Sequence, residues 1–163
     1  MSKLSCDVAT LVAWVNGLLA SQAKPMVKSI ALTQVEQQVR LTLTGVQTGL
    51  SVFGMAIPPL DADLLLRGQW DEGRLLLVWE AEAVRGIPPL AAKLVGKPAL
   101  AKMLTQALGA RWGLEHALTV DAKGDLLLDP TLLRIPGWER LRVVSVALPD
   151  GDAYVMSVDF SWI

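Results

Sequence analysis

Asp61, Asp63, Glu80 and Glu82 alternate with apolar residues along two stretches, Leu60 to Leu66 and Leu75 to Ala83, that flank Trp70-Asp71-Glu72-Gly73. A hairpin closed at that glycine would set all four carboxylates on one face, Asp61 opposite Glu82 and Asp63 opposite Glu80. Like charges directly opposed repel, so such a face invites a cation. Hard divalent ions, however, need roughly six or more oxygen ligands held on loops, and carboxylates projecting in parallel from a strand do not supply them. The expectation is therefore a solvated acidic face, partly neutralised by Arg67, Arg74 and Arg85, and no bound metal.

Other chemistry is sparse. The single histidine, His116, falls on the apolar side of an alternating stretch between Leu114 and Leu118, where a hydrogen-bonded core histidine is the expected reading. No serine has the Gly-x-Ser-x-Gly context of a hydrolase nucleophile, and Gly45, Gly49 and Gly54 are too dispersed for a phosphate-cradling loop. One cysteine, Cys6, excludes an internal disulfide and a cysteine metal cluster, and reads as a partly buried, inert thiol. No motif names a reaction, so no catalytic residue and no cofactor are assigned. An enzyme is the third reading, resting only on His116 and the acidic hairpin face.

The elements that would position these groups are unusually apolar. Hydrophobic residues make up 52% of the 163 positions, and mean hydropathy is +0.41, yet no run is long enough to span a bilayer. With glycine added the apolar share is roughly 60%, against roughly 45 to 50% in ordinary domains. A core, a cavity or an interface must take up the excess. Fifteen basic and 16 acidic residues give a net charge of −1, which offers no general attraction to nucleic acid. The length suits one domain over 1–163, with an N-terminal helix at about 7–22 and a sheet-and-helix body over 27–163.

Leu11 to Leu19 looks like the apolar segment of a leader, but Asp7 and Asn16 interrupt it, and an amphipathic helix with Val8, Leu11, Val12, Val15, Leu18 and Leu19 on one side fits better. Without a convincing signal the cytoplasm is favoured, with the compartment otherwise open. Period-two alternation follows at Ile30 to Thr33 and at Val39 to Thr44, its parity reversing across Gln34 to Gln38, where a turn or bulge must lie. Pro88 to Leu108 reads as a long apolar helix that Pro98 must kink or divide. Leu114 to Val120, Asp125 to Asp129, Leu141 to Leu148 and the closing segment through Trp162 read as strands, with Tyr154, Met156, Val158, Phe160 and Trp162 on one face of the last. The motif Ile57-Pro58-Pro59-Leu60 recurs as Ile87-Pro88-Pro89-Leu90 and reads as two stiff corners. Six tryptophans are spread through the chain, and Trp70, Trp112 and Trp138 fall at turns, where indoles cap a core or rim an apolar pocket or membrane interface.

This order, helix, long strands, a very apolar helix and further antiparallel strands, resembles that of the tubular lipid-binding (TULIP-like) domains over about residues 27 to 163. The resemblance rests on element order and on segments such as Asp61 to Glu82 and Leu114 to Leu133. It implies an α+β fold in which a strongly curved antiparallel sheet packs around a long apolar helix, with an additional N-terminal helix. It also implies non-enzymatic binding of a lipid or other long apolar molecule in a hydrophobic cavity between helix and sheet. Lining residues would be Leu64, Leu66, Leu77, Trp79, Leu94, Leu104, Leu118, Val146, Met156 and Phe160. Peripheral membrane contact is a further expectation. The alternative is a structural or interaction module whose apolar surface forms a homodimer or docks on a partner.

Overall fold

The computed structural model describes residues 3–25, 27–47, 51–56, 58–86, 97–108, 111–147 and 157–162. Its centre is the hairpin of β6 (Leu60–Asp71) and β7 (Arg74–Arg85), twelve residues each. Glu72 (φ 49°) and Gly73 (φ 80°) close it as two left-handed residues, the backbone that matches strand twist across a two-residue turn. From that turn the register runs Asp71 with Arg74, Leu66 with Trp79 and Leu65 with Glu80. Then β7 bulges: Leu64 faces Ala81 but Asp63 faces Ala83, leaving Glu82 as the extra residue. The carboxylate pairs expected from alternation, Asp61 with Glu82 and Asp63 with Glu80, do not form: the turn already sets Glu80 opposite Leu65, and the bulge then sets Asp63 opposite Ala83 and Asp61 opposite Arg85. Past the bulge the parity of β7 reverses, so Val84 packs on the core while Arg85 comes to lie opposite Asp61.

Two more hairpins extend this pair. The parity reversal at Gln34 to Gln38 is the turn between β2 (Ser29–Val35) and β3 (Gln38–Val46). Beyond β7 lie β8 (Leu118–Val120) and β9 (Leu126–Leu128), and the resulting six-stranded antiparallel sheet has the order β2-β3-β6-β7-β9-β8. A second antiparallel sheet has the order β1-β11-β10, from β1 (Lys3–Asp7), β10 (Leu141–Ala147) and β11 (Ser157–Trp162), and its β10 lies against β6. A two-stranded ribbon, β4 (Ser51–Val52) with β5 (Met55–Ala56), projects from the connection between β3 and β6.

Helix α1 (Val8–Ala20) begins where Asp7 accepts a hydrogen bond from Thr10 N at 2.7 Å. Its Leu19 and Val15 meet the inner sheet face, where Val39, Leu43, Val46, Leu60, Ala62, Leu64, Leu66 and Trp79 form the core. Ala101, fully buried, brings α2 (Lys97–Leu108) into the same core. The architecture is α+β, mostly sheet, with antiparallel pairing and few helices. Among the described residues no helix is long and apolar enough to cross a membrane.

Asn16, the polar residue in the apolar stretch of α1, has a specific partner. Its Nδ2 donates to Ile30 O at 2.9 Å and its Oδ1 accepts from Ile30 N at 2.8 Å. The amide thereby occupies the backbone groups that edge strand β2 would otherwise present to a neighbouring chain. Asn16→Ala is expected to cost about 1–2 kcal/mol, the loss of two hydrogen bonds to half-buried backbone. Thermal denaturation monitored by circular dichroism measures it, with aggregation after melting as a second readout of the uncovered edge.

Of the helix expected over Pro88 to Leu108, the described part is α2, in which Pro98 is the second residue, in the first turn, where a missing N–H breaks no intrahelical bond; residues 88–96 lie outside the described residues. One sequence expectation is corrected. The predicted strand Leu114 to Val120 is instead a helical turn, α3 (Leu114–Ala117), followed by β8. Leu114 and Leu118 are spaced for a helix as well as for a strand. Trp112 (φ 59°) and Gly113 (φ 74°) turn the chain into the helical option. His116 is consequently no core residue: its side chain is 75% exposed, with Nε2 3.4 Å from Glu115 Oε1.

Candidate functional site

The residues expected to line an apolar groove are distributed over both sheets. Leu64, Leu66 and Trp79 meet in the core, Leu66 directly across from Trp79. Leu77 lies half-buried beside Leu126, and Leu118 half-buried on β8. Val146 pairs with Val158 in the smaller sheet, where Phe160 is buried two residues further on. Leu94 and Met156 lie outside the described residues, as does the side chain of Leu104. The same holds for Tyr154; of its predicted face, Val158 and Phe160 are buried whereas Trp162 is 51% exposed. Around Leu64, Leu66 and Trp79 the inner face is occupied by protein, since Ala101, Val15 and Leu19 pack directly into that cluster.

Trp79 does more there than fill volume. Its Nε1 donates to Gly124 O at 2.6 Å, and the Lys97 ammonium stands 5.5 Å above its ring. Lys97 Nζ in turn bonds Asp125 Oδ1 at 2.5 Å, and Asp125 is buried. One indole thereby ties β7, the turn between β8 and β9, and the start of α2 into a single joint.

A groove of about 770 Å³ lies on the segment between β9 and β10, lined from Pro130, Thr131 and Leu133 through Trp138 to Leu141 and Arg142, within the range usual for small-molecule sites. Its walls are successive turns. Asp129 caps a 3-10 turn over Pro130–Leu132 by accepting from Thr131 N at 3.1 Å and Thr131 Oγ1 at 2.6 Å. Arg134 N donates to Trp112 O at 2.5 Å, which clamps the segment onto the left-handed pair before α3. Ile135-Pro136-Gly137-Trp138 closes a further turn, Trp138 N to Ile135 O at 3.0 Å, with Gly137 at φ 86° as the third residue requires.

Trp138 anchors this wall. It stacks on Trp14 of α1 with ring centroids 4.7 Å apart and meets Phe160 edge-on at 4.9 Å. Leu133, Ile135, Trp138 and Leu141 give the groove an apolar lining, and Arg134, Glu139 and Arg142 give it charge. Arg134 Nη1 is spent on the carbonyls of Thr131 and Leu133 at 3.1 and 3.0 Å, whereas Arg142 makes no ion pair among the described residues. Sequence reasoning marked Trp138 as suited to a pocket rim but selected no other residue of this groove. A groove built from turns has no periodicity to reveal it; the clustered Arg134, Arg140 and Arg142 were the available signal.

The acidic face of the hairpin is met by arginines. Arg40 grips Glu82 through two bonds, Nε to Oε2 at 2.7 Å and Nη2 to Oε1 at 2.9 Å. Asp63 accepts from Arg85 Nη1 and from Thr42 Oγ1, both at 2.9 Å, and Asp61 accepts from Gly45 N at 2.9 Å. Among the described residues no three histidine, cysteine or acidic side chains gather to hold a metal ion. The Glu82 bulge is what admits Arg85 to this face, opposite Asp61.

Hydrogen bonds from Arg85 and then Thr42 hold the Asp63 carboxyl below the ordinary carboxylate range. A depressed folded-state value stabilises the protein above the unfolded value near pH 4, and this contribution is lost as pH falls through the lower folded value. Asp63→Asn is therefore expected to flatten the acid limb of stability below about pH 4, leaving the slope near neutrality unchanged. Urea midpoints measured across that range check the sign.

Cys6 sits in β1 one residue before the cap of α1, half-buried, with Sγ 3.3 Å from Asp7 O. Comparison of the chain with protein-family models, with curated proteins and with solved structures returns no match.

Proposed function

We propose that this protein is a non-enzymatic binding module for an amphipathic molecule, a lipid or other long apolar chain carrying an acidic head. The observation that carries the reading is the groove of about 770 Å³ at Pro130 to Arg142. Leu133, Ile135, Trp138 and Leu141 suit an apolar chain, and Arg142, free of ion pairs among the described residues, suits a carboxylate or phosphate. Apolar sheet and helix faces packed together, with Ala101 of α2 on the inner face, agree with the TULIP-like reading of a curved sheet around a long apolar helix. In that reading the groove is the ligand site, beside an inner face already filled by Val15, Leu19 and Ala101.

The test starts with organic extraction of the purified protein and mass spectrometry of the extract, followed by titration with a fluorescent long-chain fatty acid. Micromolar binding that falls about tenfold in Arg142→Ala, one charge-assisted contact's worth, is expected. An extract free of lipid together with no binding of the fatty acid would sink the reading. Arg134 is unsuitable as the test position, because its guanidinium also holds the turn together.

A further inference from the structure

Between Arg40 and Asp61 the sequence carries no charged residue. The middle of that stretch forms the β4–β5 ribbon, whose tip is open to solvent: Phe53 is 98% exposed and Met55 73%. The tip is also costly. Phe53 (φ 52°) and Gly54 (φ 78°) both take the left-handed conformation, and a two-residue turn of that kind ordinarily carries asparagine or aspartate before glycine. A bulky aromatic residue is an outlier there. Folding alone gives no reason to place phenylalanine at this position.

Two lysines without ion pairs among the described residues lie on the chain leading to this end of the sheet. The ribbon leaves the sheet next to Gly45, where Lys28 lies so close that an added Cβ would stand 2.8 Å from Lys28 Cβ. Lys24 precedes Lys28 on the connection from α1 to β2, and both are exposed and make no ion pair among the described residues. Of the other charges at this end, Arg85 is paired with Asp63, and Asp61 is turned onto Gly45 N. The opposite end of the sheet carries Glu36, Asp71 and Glu72 at its turns, with Arg74.

We propose that the β4–β5 ribbon is a membrane-contact element, in which Phe53 and Met55 enter the interface of an anionic bilayer while Lys24 and Lys28 meet its headgroups. A bilayer fits the shape better than a protein does. A stable protein interface needs about 800 Å² from each partner, more than two side chains on a narrow ribbon present. Interfacial insertion needs only a few apolar side chains, an aromatic among them, beside basic residues that face acidic lipid. This inference stands on the ribbon and its lysines, and does not depend on the groove at Pro130 to Arg142.

Co-sedimentation of the full chain with vesicles of phosphatidylcholine containing about 30% phosphatidylserine tests it. Phe53→Asn is the decisive variant, because Asn-Gly is the preferred pair for this turn and so keeps the ribbon folded. The expected result is vesicle binding that drops at least tenfold in Phe53→Asn, with an unchanged or raised melting temperature. Lys24→Gln combined with Lys28→Gln should reduce binding and its sensitivity to salt. Wild-type protein that does not sediment with these vesicles, or Phe53→Asn protein that sediments as well as wild type, would overturn the proposal. Dimerisation abolished by Phe53→Asn, without vesicle binding, would overturn it in favour of a second copy of the chain.

Discussion

Trp79→Ala is expected to lose about 4 kcal/mol of folding stability, the usual cost of truncating a buried tryptophan to alanine. The indole is 3% exposed, and three elements converge on it. Its removal leaves a cavity against Leu66 and Ala101, frees the buried Gly124 carbonyl of its donor, and takes the ring from beneath Lys97. For a domain whose whole stability is about 5–15 kcal/mol, such a loss places the variant near the edge of folding. Urea denaturation should show a much lower midpoint with an unchanged slope. Trp79→Phe separates the contributions: it keeps a ring in the core but no N–H for Gly124, and should cost about 1–3 kcal/mol. Equal losses in the two variants would mean that the hydrogen bond, rather than packing, dominates.

Gly113→Ala is expected to cost about 3 kcal/mol, for a backbone reason. At φ 74° an alanine pays the left-handed penalty, about 1–2 kcal/mol. Its Cβ would also stand 2.5 Å from Leu132 O and 3.4 Å from Arg134 N. These are main-chain atoms of the groove wall and cannot swing aside as a side-chain tip could. The wall must therefore retreat, taking with it the bond from Arg134 N to Trp112 O. Gly17→Ala is the matched control: Gly17 lies inside α1, an added Cβ meets nothing within 4 Å, and the change should stabilise by about 0.5–1 kcal/mol. Melting temperatures that move in opposite directions for the two alanines establish that space and φ, and not glycine content, govern the effect.

Much of the sheet was legible because period-two alternation survives in β2, β3, β6 and β7. What alternation does not encode is an inserted residue. Glu82 looks in the sequence like one more polar position on an outward face, yet as a bulge it reverses the parity of everything after it. Residues Leu114 to Ala117 were ambiguous because a four-residue apolar spacing serves either period, and two left-handed residues upstream decided the outcome. Asp7, beside the start of an apolar helical stretch, could be read as its cap, but the splint that Asn16 forms on an edge strand depends on a partner that composition does not name. The candidate groove was least legible. It is made of turns, which carry no periodicity, and Trp138 beside Gly137, with the nearby arginines, was the signal the sequence held.

The pairing of β1 with β11, Lys3 with Ser161 through Asp7 with Ser157, dictates an order of assembly. The six-stranded sheet draws its strands from Ser29 to Leu128 and joins neighbours mostly by hairpins, so it can form early and locally. The smaller sheet must wait for β11, its central strand, which the ribosome delivers after every other described element. During synthesis β1 thus waits for β11, and the loop that their pairing closes spans all the other described elements. Substitutions at Phe160 or Val158 should accordingly hasten unfolding while leaving the folding rate almost untouched, the behaviour of contacts formed after the transition state.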